Sequence, residues 1–373
     1  MQNKRIAIVV NEDLFFLTHR KNLGLALMRD GWSVYILATK TKEDYVKEIE
    51  SLGFKFQHIP FERAGMSLKG EYKTFSAICK AYKVIRPTLV LTVGLKGILW
   101  GGIAVRRYGI PLVSAVSGLG FLFTEGRKSV KQIILINLLK YFLPPKRHHI
   151  VFQNNEDKDI FIKNHVISEN QTSIIRGMGV DLNEFAQMPF TEKKGTRFLF
   201  PARMLKDKGV IEFIEAAKKV GKDYPNAEFI LAGSIDTKNP TGIPEAVFSE
   251  MIKNTSILWI GFQTQMIPIY RDADVVVLPS YREGFPKVLI EACAIGRPVI
   301  TTDAPGCKDC VIDGYNGFVV PVKNIEKLAD AMLNFLGDTD LIPSMGYAAA
   351  QFAREKFDSS EINRQFIHIL TKI

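Results

Sequence analysis

The chain has 373 residues, 47% hydrophobic and 24% charged, an ordinary globular balance that excludes a disordered or fibrous protein. One hydrophobic core usually stops growing at about 250 to 300 residues, so two domains are expected. The formal charge of +10 is uneven: residues 1–150 hold 24 Lys and Arg against 10 Asp and Glu, while residues 151–373 hold 25 against 29.

In chain order, the first apolar run, Ile6 to Val10, is too brief for a signal peptide or a spanning helix and reads as a buried strand. Strand-like Arg5 to Val10 and Ser33 to Ala38 alternate with helical Thr18 to Asp30 and Lys42 to Leu52. The alternation continues through helix Tyr72 to Ile85, strand Leu89 to Val93, helix Gly97 to Tyr108 and strand Pro111 to Ser117, which predicts a doubly wound parallel sheet. Lys128 to Leu143 departs from it, being apolar with Lys128, Lys131 and Lys140 interspersed. At about 16 residues it is too short to cross a bilayer about 30 Å thick. On a basic domain it suits docking to anionic lipid, although a packed interior helix would read the same way.

After a break at Asp181 to Gly195 the series restarts: strand Arg197 to Phe200, helix Val210 to Lys222, strand Glu228 to Ala232, helix Pro244 to Lys253 and strand Ile257 to Ile260. It closes with short helix Met266 to Arg271, strand Val275 to Leu278, helix Lys287 to Ala294, strand Val299 to Thr301 and helix Ile325 to Leu336. The expected organisation is an N-terminal Rossmann-like domain over 1–180, a second over 181–355, and a helix over 356–373 crossing back to the first. Among four cysteines, Cys307 and Cys310 form one C-x-x-C pair with no partner at zinc-finger spacing, so neither a metal nor a disulfide is expected, and a cytoplasmic compartment follows. Asp272-Ala273-Asp274 spells D-x-D but precedes its strand, which predicts a capping role. No stacking platform or recognition module accompanies the basic half, so nucleic acid is not an expected partner.

The sharpest signal is Pro279-Ser280-Tyr281-Arg282-Glu283-Gly284-Phe285-Pro286-Lys287-Val288-Leu289-Ile290-Glu291-Ala292, with Glu283 in a loop after a strand and Glu291 about one turn into the next helix. Amides opening that helix suit a diphosphate. Phe200 to Val210 carries Arg203 and Lys208 after the second domain's first strand.

These segments resemble the retaining GT-B glycosyltransferases of family four, whose donor domain has an E-x7-E element of this form; Gly179-Val180-Asp181 and Asp303 to Pro321 are similar to family segments as well. The resemblance implies two Rossmann-like α/β domains facing across a cleft. It implies that Glu283 touches the donor sugar, that Glu291 holds the ribose, that Arg203 and Lys208 neutralise the diphosphate, and that Gly284, Phe285, Pro286, Val288 and Leu289 complete the donor site. The nucleotide sugar, UDP-linked by this reading, is a co-substrate, so no cofactor is needed.

The string Phe15-Phe16-Leu17-Thr18-His19-Arg20 resembles the branch acting on polyprenyl-diphosphate carriers in surface glycan assembly. His19 and Arg20 in the first loop, Lys96 after a strand end, and Ser117 and Gly118 of Ser117-Gly118-Leu119-Gly120-Phe121 then become candidates for acceptor or phosphate contact. The partners implied are a nucleotide-sugar donor, a polyprenyl-diphosphate-linked acceptor and an anionic membrane surface on the inner face of the cell membrane. A GT-B-like nucleotide-sugar epimerase is the alternative, and it would turn over donor alone.

Overall fold

A computed structural model describes residues 4–62, 67–119, 123, 130–144 and 146–373. It divides into two compact units, Met1–Met178 with Ser360–Ile373, and Gly179–Ser359.

The first unit is built on β1 (Arg5–Glu12), β2 (Ser33–Thr39), β3 (Lys55–His58), β4 (Leu89–Val93), β5 (Leu112–Val116), β6 (His148–Phe152) and β7 (Thr172–Ile174). They pair in parallel in the order β3-β2-β1-β4-β5-β6-β7. Period-two alternation sends Ile6, Ile8 and Val10 to one face and Ala7 and Val9 to the other, so each face has its own apolar layer. Helix Ser359–Lys372 adds Ile362, Phe366 and Leu370, spaced four apart, to the Ile6 layer. The last helix of the chain therefore completes the core of the first unit.

The second unit holds β8 (Arg197–Phe200), β9 (Glu228–Leu231), β10 (Ile257–Trp259), β11 (Val275–Leu278), β12 (Val299–Thr302) and β13 (Gly317–Val320). All pair in parallel, in the order β10-β9-β8-β11-β12-β13. Strand order reverses between β1 and β4 in one sheet and between β8 and β11 in the other. Open α/β sheets bind ligands outside the carboxyl ends of such neighbours.

Several local expectations are corrected. Thr18 to Asp30 is not one helix: helix Asp13–His19 comes first, the chain breaks at Arg20 (φ −132°, ψ −2°), and helix Lys21–Arg29 follows. Buried Asp13 accepts the amides of Leu14 and Thr41, each at 2.7 Å, and so fixes a helical turn where the sequence suggested a loop. Strands β3, β6 and β7 were not among the expected elements: β3 reads Lys-Phe-Gln-His, and β6 opens on two histidines before the short apolar run Ile150 to Phe152. The apolar segment forms helix Val130–Phe142, while Lys128 and Ser129, like Gly120 and Phe121, lie outside the described residues.

Candidate active site

In the second unit, loops leaving β8, β11 and β12 meet. After β8 the chain makes a short turn, Lys206–Lys208, and reaches Gly209 at φ +77°. A Cβ there would stand 2.1 Å from the carbonyl oxygen of Pro279, so glycine lets the β8 and β11 loops touch. The Asp207 carbonyl accepts from the Tyr281 amide at 2.9 Å and lies 3.0 Å from Ser280 Oγ, while Tyr281 donates its hydroxyl to Glu212 at 2.6 Å. From the β12 loop, the carbonyl of Pro305 accepts the Glu283 amide at 3.0 Å.

This stitching brings Lys208 and Glu283 together as an ion pair, Lys208 Nζ to Glu283 Oε1. Buried Ser280 places its hydroxyl 2.9 Å from the same oxygen. Arg203 does not join them in this arrangement; it pairs with Asp236, after β9, at 2.8 Å.

Glu291, on helix Lys287–Ile295, is only 4% exposed. Tyr270 donates its hydroxyl to Glu291 Oε2 at 3.0 Å, and Lys287 pairs with Oε1 at 2.8 Å. Burial is the larger influence and pushes the carboxyl above the usual range, while Lys287 and the Tyr270 hydroxyl pull it down. Phe285 is buried edge-on against Phe357 at 5.5 Å, Val288 is half-buried, and Leu289 lies wholly in the core. The expectation of free amides at this helix start needs correction for Leu289, whose N–H donates to the Pro286 carbonyl at 3.1 Å. Gly284 backs onto Gly306, where an added Cβ would lie 2.4 Å from the Gly284 carbonyl oxygen. The D-x-D aspartate Asp274 accepts the Arg197 amide at 2.7 Å and pairs with Lys193 at 3.1 Å, a structural role at the opposite end of β11.

In the first unit the candidates are more scattered. His19 stacks on Phe15 with ring centroids 4.3 Å apart, and its Nδ1 lies 2.7 Å from Thr18 Oγ1. Arg20 is buried. Lys96 follows β4, and its Nζ meets Glu71 Oε1 at 2.8 Å and the Glu62 carbonyl at 2.8 Å. Glu71 is buried and is held on its other oxygen by the Trp100 indole. Among the described residues, buried Ser117 Oγ has no hydrogen-bond partner, and Gly118 takes φ +111°. Sequence reasoning assigned nothing to Ser280, Tyr270 or Glu71. Ser280 stood inside the motif, three residues before Glu283; Tyr270 and Glu71 act across 21 and 25 positions and left no local signal.

Two open parallel sheets, each with a reversal of strand order, make up the GT-B fold, and solved structures with that fold match along nearly the whole chain. Anabaena HepE, crystallised with UDP and glucose, matches with a TM-score of 0.79 at 18% identity, covering 99% of both chains. The family model of the glycosyl transferases group 1 matches residues 183–352, within the second unit. Among curated relatives, the N,N'-diacetylbacillosaminyl-diphospho-undecaprenol alpha-1,3-N-acetylgalactosaminyltransferase of Campylobacter jejuni is 27% identical over 346 residues, 89% of each chain. The UDP-Gal:alpha-D-GlcNAc-diphosphoundecaprenol alpha-1,3-galactosyltransferase of Escherichia coli is 28% identical over 293 residues, 75% of this chain and 74% of its own.

Proposed function

We propose that the enzyme transfers a hexose or N-acetylhexosamine, with retention, from a UDP-sugar to a sugar carried on a polyprenyl diphosphate in bacterial glycan assembly. The observation that carries this reading is the Lys208–Glu283 pair at the β8/β11 reversal, with a buried Glu291 on the helix that follows, in a chain similar over 89% of its length to a transferase named for an undecaprenyl-diphosphate-linked sugar. In the reaction, the bond between the donor's anomeric carbon and the diphosphate oxygen breaks while an acceptor hydroxyl attacks from the same side. Its proton passes to the leaving diphosphate. Lys208 and Arg203 stabilise the charge that grows there, Glu283 holds the sugar, and Glu291 receives the ribose hydroxyls. No metal or cofactor is assigned a step. The relatives described carry transferase names, and the epimerase alternative has no support from them.

A panel of UDP-, GDP- and ADP-linked sugars tests the donor class by thermal shift, since a ligand at 100 times its dissociation constant adds about 2.7 kcal/mol. UDP-sugars alone are expected to raise the melting temperature. Silence across the panel would overturn the reading.

The same reading places the enzyme on the inner face of the cell membrane. Among the described residues no helix is long and apolar enough to cross a membrane. Helix Val130–Phe142 instead exposes Val130, Ile133, Ile134 and Tyr141 on one side, opposite buried Leu139, which supports peripheral docking. Co-sedimentation with anionic vesicles is expected to be salt-sensitive and to fall in Ile134→Asp/Tyr141→Asp. Equal sedimentation of the variant would remove this helix from the contact.

A further inference from the structure

Arg20 presents an unsolved electrostatic problem inside the first unit. It is 3% exposed, its guanidinium carbon lies 5.0 Å over the ring of Phe366 on the last helix, and its Nε is buried with no hydrogen-bond partner among the described residues. No ion pair to Arg20 exists among the described residues, and burial alone lowers its pKa to about 10. Retaining a charge away from water without a counter-ion destabilises a fold by several kcal/mol.

Arg297 shows how this molecule treats a guanidinium kept for structure. It is equally buried and lies 4.2 Å over Phe190, but it donates to the carbonyls of Met188, Pro189, Tyr270 and Arg271 at 2.9 to 3.1 Å. Arg20 has the aromatic floor and none of those acceptors. It also opens helix Lys21–Arg29, whose N-terminus has no side-chain cap and no acidic residue in its first turn. A nearly buried guanidinium whose Nε has no acceptor among the described residues is suited to an anion with several oxygens.

We infer that Arg20, floored by Phe366, is an anion subsite of the first unit that takes a phosphate or diphosphate group separate from the donor's diphosphate. The inference rests on the transferase reading above for the identity of that group, the acceptor's diphosphate. A lipid phosphate headgroup offers the same chemistry, so the test separates the two sources.

With UDP saturating the donor site, inorganic pyrophosphate is titrated against the full-length enzyme, Arg20→Met, Arg20→Lys and Phe366→Leu, and melting temperature is followed. Pyrophosphate is expected to stabilise the native enzyme. Half-saturation should rise about tenfold or more in Arg20→Met, the scale of one lost charge-assisted hydrogen bond, and less in Arg20→Lys and Phe366→Leu. Arg20→Met is also expected to melt no lower than the native enzyme without ligand, because it removes an uncompensated charge. In steady state, acceptor KM should rise while donor KM stays level. A rise in acceptor KM with unchanged vesicle binding assigns the acceptor diphosphate; lost vesicle binding with unchanged KM assigns the headgroup.

An unchanged pyrophosphate response in Arg20→Met, or a lowered melting temperature as its sole effect, would overturn the inference and make Arg20 structural. Should Arg20→Met fail to fold, Arg20→Lys and Phe366→Leu carry the same comparison. If UDP itself fails to stabilise the native enzyme, the transferase reading fails instead, and the two failures are told apart.

Discussion

At Glu291, burial opposes the charge that the proposed ribose contact uses. Its carboxyl is held above the usual range by desolvation, so its folded pKa exceeds its unfolded one; stability from this group is full below the unfolded pKa and declines as pH rises through the folded value. Ionising this side chain therefore works against folding. Glu291→Gln is expected to melt at or above the native temperature while UDP half-saturation rises about tenfold, the loss of one or two hydrogen bonds to a charged acceptor. A thermal-shift titration of both proteins reads both effects, and a lower melting temperature with unchanged UDP affinity would make Glu291 structural. The residues Glu283, Glu291, Arg203 and Lys208 could be picked out in the sequence because they stand in short strings next to strand ends. Their settings could not: Tyr270 reaches Glu291 from another helix, Asp236 takes Arg203 from another loop, and Glu71 neutralises Lys96 across two elements.

Among the elements, the β8, β11 and β12 loops depend on close backbone approach. Gly209 sits at φ +77° with the Pro279 carbonyl oxygen 2.1 Å from where a Cβ would fall. Gly209→Ala is expected to force the two loops apart, losing about 1 to 3 kcal/mol of stability from backbone strain and reducing turnover more than tenfold as Lys208 and Glu283 separate. A urea midpoint and kcat measured together check it; an unchanged midpoint with native kcat would mean the loops tolerate the separation. The hydrophobic runs announced β1, β4, β5, β8 and β11, because strands buried on both faces need continuous apolar sequence. They did not announce β3, β6 or β7, whose side chains are partly polar and which are defined by their neighbours. The helix at Asp13–His19 was hidden for a related reason: its first turn is fixed by Thr41, 28 positions away.

For the whole molecule, acid is expected to act through β6. His148 is buried, its Nε2 lies 3.0 Å from Ser114 Oγ, and burial lowers its pKa to about 3. The unfolded chain binds this proton near pH 6.5, so between about pH 6.5 and 3 it takes up more protons than the folded one. Stability is full above that window and falls as pH drops through it, by at most about 1.4 kcal/mol per unit. Denaturant midpoints at pH 7.5 and 5 are expected to differ more in the native enzyme than in His148→Gln; equal differences would exclude His148 as a source of acid lability. By itself the sequence determined that two parallel α/β sheets form and which loop carries the paired glutamates, since hydrophobic period and strand-end motifs are local properties. Only the tertiary structure decided that Ile362, Phe366 and Leu370 of the last helix join the Ile6 layer, that Lys208 meets Glu283, and that Arg20 is buried without a counter-ion among the described residues, because each depends on residues brought together from distant parts of the chain.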